Sequence, residues 1–371
     1  MHILNQRLKK LKKQQLFRQL ISHNEIDLIS NDYLGFAHDK KIHNRFMQRF
    51  KKIPLGATGS RLLGGNSALH EETEQLLAQF VNRSAAVIFP SGYQANISLL
   101  SALLTPDDLV FSDEYNHASI IDGIRLSKAN KIIFPHRDYQ FLENQLHYYS
   151  HHNCLKIIIS ESLFSMDGTL ADIKQLTLLA QKFKLLLIID EAHSTGLWGT
   201  SLVTTLGLSD QVFATIHTAG KALGASGAWI AGNHLLKKYL INFARPFIFS
   251  TAVMPAQLIL MQEAIKRYYE IGKYRSQIIF NRAIKFNKWL KYIFKNHDIS
   301  PIIPIILNDN LTVTKLSHYL HNKNWHVQLI RPPTVPPNKT RLRITIKWCN
   351  SLAQLYQLSS DILRGLEYIQ Q

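Results

Sequence analysis

Leu185-Leu186-Leu187-Ile188-Ile189-Asp190-Glu191-Ala192-His193-Ser194-Thr195-Gly196 is a short apolar run that ends on an acid, a histidine and small polar residues. A run of this length, bounded by turn chemistry, suits a strand buried on both faces, as in a parallel sheet. The polar residues after it then lie at the carboxyl end of the strand, where open α/β sheets bind their ligands. Similar runs flank it at 85–89, 109–111, 131–134, 155–160, 212–216 and 228–231. Segments with helical spacing fall between them, such as Leu69, Thr73, Leu76, Leu77 and Phe80, then 99–104, then Leu176, Leu179 and Phe183. This alternation predicts a large α/β domain whose mostly parallel sheet is covered by helices on both faces.

The pattern changes after Pro255. A helix-rich stretch runs to about 295, followed by a strand over 299–307 that Pro301 and Pro304 should break, since proline cannot donate to a sheet ladder. A helix near 314–323, a Pro-rich loop at 331–337, an alternating strand at 341–347 and a last helix complete a smaller α+β unit. The expected organisation is an N-terminal arm at 1–45, a large domain at 46–252 and a C-terminal domain at 253–371.

Composition narrows the function classes. With 46% hydrophobic and 19% charged residues, the 371-residue chain is neither a disordered polymer nor, lacking any apolar run of about 18 residues, a helical membrane protein. Its 43 Lys+Arg against 26 Asp+Glu give a formal charge of +17. Apart from Arg7 to Lys13 the basic residues are scattered, so the charge by itself does not make a nucleic-acid binder. No secretory h-region follows the basic start, and two cysteines cannot form a disulfide framework, so a reducing cytoplasm is expected.

Four strand-end junctions carry candidate chemistry. At Pro90-Ser91-Gly92-Tyr93-Gln94, Ser91 and Gln94 fit a capping box, and the free N–H groups of a helix start could hold a phosphate. Asp190 closes the central run, within a DEAH tetrapeptide. A helicase reading of DEAH needs a GxxxxGK[ST] loop, and around Gly220-Lys221 the first Gly is Thr215 and the Ser/Thr is Ala222. Lys221 lies among Gly, Ala, Ser and Thr in 218–227, where a planar ligand could approach the backbone and a lysine could form a Schiff base. His117 follows a fourth run. Taken singly, each has a bland structural explanation. Together they supply the parts of a pyridoxal-phosphate site. His147, His151 and His152 lack the carboxylates or HExxH context of a metal site, so no metal is expected.

These residues, with Ser30 to Gly35, Gly59-Ser60-Arg61, Leu69-His70-Glu71, Phe164 to Gly168, Ile330 to Pro336 and Arg341-Leu342-Arg343, stand in an order that resembles the α-oxoamine synthases, fold-type I pyridoxal-phosphate enzymes. The resemblance spans nearly the whole chain. It departs mildly at Tyr93, Ala219 and Ser194, none of which is a reacting group.

The resemblance implies decarboxylative condensation of an amino acid with an acyl thioester, with pyridoxal 5'-phosphate as cofactor. The loop at 331–336 points to the branch that uses L-alanine and pimeloyl-CoA or a pimeloyl-acyl carrier protein, with glycine C-acetyltransferase as the alternative. By position, Lys221 carries the cofactor and acts as base, Asp190 faces the pyridine nitrogen, and His117 stacks on the ring. His193 and Ser165 lie near the phenolic oxygen, while Gly92, Tyr93 and Thr218 line the cofactor and its phosphate. Ser250 and Thr251 reach a phosphate in the partner subunit, implying a homodimer. Arg343 and Asn31 take the amino-acid carboxylate, and Arg18 and Thr334 contact the acyl substrate. Neither nucleic acid nor membrane is an implied partner.

Overall fold

The computed structural model describes residues 1–14, 16–17, 20, 24–290, 298–307, 310–332, 334–336 and 339–370. Its strands, in chain order, are β1 (Ile26–Asp27), β2 (Ala85–Phe89), β3 (Leu109–Asp113), β4 (Asn130–Phe134), β5 (Lys156–Glu161), β6 (Leu186–Asp190), β7 (Ala214–Thr218), β8 (Ala228–Gly232), β9 (Ile302–Ile306), β10 (Trp325–His326), β11 (Gln328–Ile330) and β12 (Arg341–Thr345).

Strands β2 to β8 form one sheet in the order β2-β8-β7-β6-β5-β3-β4. Only β8 runs against its neighbours β2 and β7, so the carboxyl ends of β2, β3, β5, β6 and β7 meet at one edge. The apolar runs had marked these strands to within two residues, and the α/β architecture is the one the alternation requires. Leu99, Leu100, Ile120, Ile124, Leu236 and Leu240 cover one face against Val110, Ile157, Ile159 and Ile188. On the other face Leu142, Leu146, Leu176 and Leu179 pack on Phe111, Ile158, Leu187 and Ile189. Burying such side chains contributes about 1.5–3 kcal/mol each, which is why the strands read as continuous apolar runs rather than alternating ones.

The helix Pro255–Arg267 packs against the helices Lys40–Phe50 and Ala68–Phe80. Beyond it, β9, β12 and β11 form a small antiparallel sheet in the order β11-β12-β9. Two expectations are corrected here. Pro304 does not break its strand: it lies within β9, an edge strand, opposite Arg343, where its missing N–H can face away from the ladder. Nor does β12 expose alternate residues. All five are buried, and Arg341 and Arg343 turn their charges into contacts with the turn at 165–167 that follows β5.

Those contacts place the site. Arg341 pairs with Asp167 and donates to Met166 O at 3.2 Å, while Arg343 Nε donates to Ser165 O at 2.6 Å. Gly168 is required in the same turn: its φ is +68°, and a Cβ would lie 2.2 Å from Ile302 O. The N-terminal segment is stitched to the same small sheet by Thr345 N to Leu28 O at 2.8 Å, Trp348 N to Tyr33 O at 2.8 Å, and a Lys347–Asp27 ion pair. Asn31 and Tyr33 are thereby held beside β12. Among the described residues no helix is long and apolar enough to cross a membrane.

Candidate active site

Asp190 ends β6 and is buried, its carboxylate accepting from Asn96 Nδ2 at 2.7 Å and from the Ala192 amide at 2.8 Å. Asn96 Nδ2 also reaches Ser119 Oγ at 3.0 Å, and Ser119 Oγ lies 2.8 Å from His117 Nδ1. His117 caps the helix Ala118–Ser127, with Nδ1 accepting from the Ser119 amide at 3.2 Å. Its ring meets Tyr93 edge-on, at 6.2 Å and 80°. Burial lowers the His117 pKa, Asp190 opposes that effect, and Lys221 adds to it.

Lys221 follows β7 in a tight loop closed by Ala219 N to Gly227 O at 2.9 Å and Gly224 N to Lys221 O at 2.9 Å. The small residues have a steric cause: Gly224 has φ +59°, and a Cβ there would be 2.2 Å from Ala37 N. Burial pushes the Lys221 ammonium down to about 8; Asp190 and Glu161 favour its charge, and Arg343 opposes it. A lysine in that state has an appreciable neutral fraction near physiological pH and can act as nucleophile or base.

Glu161 ends β5 in register with Asp190 and was not among the expected residues. Desolvation, reinforced by Asp190, raises its pKa well above the carboxylate range, and its Oε1 is buried with no hydrogen-bond partner. The signal was present, since Glu161 stands directly after the run 155–160, the kind of position that singled out Asp190. Glu191 was also missed. Burial pushes its pKa up to about 7, and it accepts from the Val203 amide at 3.0 Å and from Ser194 Oγ at 3.2 Å. Ser194 Oγ also meets Ser162 Oγ at 2.8 Å, so its hydroxyl occupies a fully partnered buried position.

At the start of the helix Gly92–Leu103, Ser91 Oγ accepts from Gln94 N at 3.2 Å. The reciprocal half of the expected capping box is not made, for Gln94 Oε1 is buried without a partner. A Cβ on Gly92 would meet nothing within 4 Å, so the space before this helix start is open. Thr218 Oγ1, accepting from Gly220 N at 3.1 Å, ends β7 at the same sheet edge.

On the opposite side Arg343 Nη2 donates to Asn31 Oδ1 at 2.9 Å and Nη1 to Thr345 Oγ1 at 2.9 Å. Tyr33 Oη lies 2.8 Å from His193 Nδ1. His193 is buried, and desolvation with Lys221, Arg343 and His117 nearby drives its pKa well below the usual value, leaving it neutral. Ser165 joins this group through its carbonyl. Ser250 and Thr251 line a recess with Arg61, His70 and Pro90. Thr334 is exposed and bonds locally to Arg331 O. Arg18 lies outside the described residues.

An amine of lowered pKa, a buried carboxylate, two neutral imidazoles and an open helix start form the donor set that pyridoxal phosphate needs. The sequence matches the model of the aminotransferase class I and II family over residues 23–357. It is 37% identical to 8-amino-7-oxononanoate synthase of Lysinibacillus sphaericus, over 90% of this chain and 86% of the relative. The chain belongs to this family, in its α-oxoamine synthase branch. A second relative, 8-amino-7-oxononanoate synthase 2 of Bacillus subtilis, is 35% identical over 96% of this chain and 95% of its own. The crystal structure of 8-amino-7-oxononanoate synthase from Francisella tularensis superposes with a TM-score of 0.80, at 26% identity over 93% and 98% of the two chains. A serine palmitoyltransferase from S. paucimobilis superposes at 0.91, with 23% identity over 99% and 97%, and shows the same fold. This α-oxoamine synthase is a pyridoxal-phosphate-dependent enzyme that joins an amino acid to an acyl thioester.

Proposed function

We propose that the protein condenses L-alanine with a pimeloyl thioester, releasing carbon dioxide and the thiol, to give 8-amino-7-oxononanoate for biotin synthesis. The observation that carries this is identity of 35–37% over nearly the full chain with relatives of that name, and the convergence of Lys221, Asp190, His117 and His193 at one sheet edge supports it.

Bound pyridoxal phosphate supplies an electron-withdrawing ring that acidifies the Cα–H of an amino acid. Lys221 Nζ would hold the cofactor by its aldehyde and, when free, would be the base that removes the Cα proton of alanine and later returns a proton to that carbon. Its neutral fraction, favoured by burial, makes that exchange possible. Asp190, oriented by Asn96 and the Ala192 amide, would face the ring nitrogen and favour a proton there. His117 would cover the ring face. His193 and Ser165 would lie by the phenolic oxygen, and Gly92, Tyr93 and Thr218 would line the cofactor and its phosphate.

Arg343 takes the alanine carboxylate with Asn31 beside it, a planar two-point contact that lysine cannot reproduce. Thr334 and Arg18 serve the acyl donor, either pimeloyl-CoA or pimeloyl-acyl carrier protein. Ser250 and Thr251 would serve a phosphate across a homodimer, and the chain would divide into an arm at 1–45, a large domain at 46–252 and a C-terminal domain at 253–371. Its two cysteines, Cys154 and Cys349, are both free, which suits the cytoplasm.

The test is the product. Purified protein with pyridoxal phosphate, L-alanine and pimeloyl-CoA should yield 8-amino-7-oxononanoate by mass, with glycine in parallel as the competing amino acid. Turnover with glycine and a short acyl-CoA but none with alanine would overturn this reading in favour of a sister reaction.

A further inference from the structure

Tyr33 has no assigned task in the chemistry above, yet its surroundings are specific. It is fully buried, lies on the N-terminal segment and meets His193 from a position 160 residues earlier in the chain. Its hydroxyl has two acceptors within reach: His193 Nδ1 at 2.8 Å and Asn31 Oδ1 at 3.4 Å. The second is shared, because Arg343 Nη2 donates to the same Asn31 Oδ1 at 2.9 Å, and it is the longer of the two contacts to the hydroxyl. Burial pushes the phenol up to about 12, so it keeps its proton and has one to give. A neutral imidazole offers one donor and one acceptor, and the partner at one nitrogen decides which is which.

We propose that Tyr33 is a positioning residue whose hydroxyl donates to His193 Nδ1 and so keeps the imidazole proton on Nε2, with Asn31 linking that hydroxyl to Arg343. A carboxylate that draws Arg343 Nη2 away leaves Asn31 Oδ1 to the Tyr33 hydroxyl alone and so a stronger competitor for the same proton. Occupancy of the guanidinium is thus felt at His193. The catalytic consequence rests on the function proposed above, whereas the tautomer does not.

The experiment uses the full chain labelled with 15N-histidine, with and without pyridoxal phosphate, and reads both ring nitrogens of His193 by long-range 1H–15N spectroscopy. The His193 signals are assigned by their loss in His193→Asn. The parent should show an unprotonated Nδ1 and a protonated Nε2, and Tyr33→Phe should shift Nδ1 and populate the other tautomer. A single lost hydrogen bond should also lower kcat about fivefold to tenfold, with a smaller change in KM for alanine. A variant that fails to fold does not end the test, since a through-hydrogen-bond coupling between the Tyr33 hydroxyl proton and His193 Nδ1 can be sought in the parent. Absence of that coupling, or identical His193 nitrogens in parent and variant, overturns the proposal. Nitrogens that shift as expected in a protein that makes no aminooxononanoate leave it standing and remove the proposed function instead.

Discussion

Glu161 and Asp190 end adjacent parallel strands in register, two buried carboxyl groups side by side at the edge where the site lies. Their environments differ. Asp190 takes two hydrogen bonds from the protein, while Glu161 Oε1 takes none. Like charges this close are not both tolerated away from water, and the raised pKa of Glu161 makes it the partner that keeps its proton.

Glu161→Gln, which preserves shape and cannot ionise, should therefore retain near-parental turnover at neutral pH. Its effect on stability has a definite sign. A carboxyl whose folded pKa lies above its unfolded value is favourable at low pH, and that contribution is lost as pH rises from the ordinary value of about 4.5 toward the folded one, by up to about 1.4 kcal/mol per pH unit. Denaturant unfolding of parent and variant should diverge over that window, the glutamine protein being favoured at the alkaline end. Parallel curves would show that Glu161 ionises normally.

The depressed pKa of Lys221 gives a kinetic prediction. Only the neutral amine attacks an aldehyde, so capture of pyridoxal phosphate by cofactor-free protein should accelerate nearly tenfold per pH unit up to about 8 and level off above it. Stopped-flow absorbance follows the reaction directly. Lys221→Ala should give no borohydride-trapped adduct on the 221 peptide and lose at least about 100-fold in turnover. An adduct trapped elsewhere would reassign the reacting amine.

How legible was this site in the sequence? The strands of the large sheet were, because all but the edge strand β4 bury both faces and turn chemistry bounds them, and that same rule exposed Asp190 and Lys221. Glu161 obeys the rule too, but in Ser160-Glu161-Ser162 it reads as an ordinary polar boundary. Other features depend on tertiary partners. Pro304 is tolerated because β9 is an edge, a property of the sheet and not of the segment. Arg341 and Arg343 are buried because Asp167 and the carbonyls of Ser165 and Met166 wait on another element. The Tyr33–His193 pair spans 160 residues, and no local pattern encodes it.

Arg343 holds four acceptors, among them Ser165 O, Thr345 Oγ1 and Asn31 Oδ1. Arg343→Lys keeps the charge and loses the fork. Each charge-assisted hydrogen bond contributes about 1.5–3 kcal/mol, so kcat/KM for alanine should fall about 10- to 100-fold, mostly through KM. Thermal unfolding should also move down, since Ser165 O and Thr345 Oγ1 lose a donor. Unchanged alanine kinetics would place the carboxylate elsewhere.

The helix His2–Lys13 carries Arg7, Lys9, Lys10, Lys12 and Lys13, contains no acidic residue and buries no side chain. It therefore contributes field rather than packing, on a chain of net charge +17. An acyl carrier protein or coenzyme A is acidic, and a fixed basic field raises its encounter rate while added salt screens that field over roughly 10 Å at 0.1 M. The kcat/KM for a pimeloyl-acyl carrier protein should fall about tenfold or more between low and high ionic strength. Replacing Lys9, Lys10, Lys12 and Lys13 with Gln should lower the low-salt value and flatten the dependence, leaving kcat and unfolding unchanged because these side chains are exposed. A rate indifferent to salt would mean that the basic helix does not guide the donor, and would leave its charge without a part in this reaction.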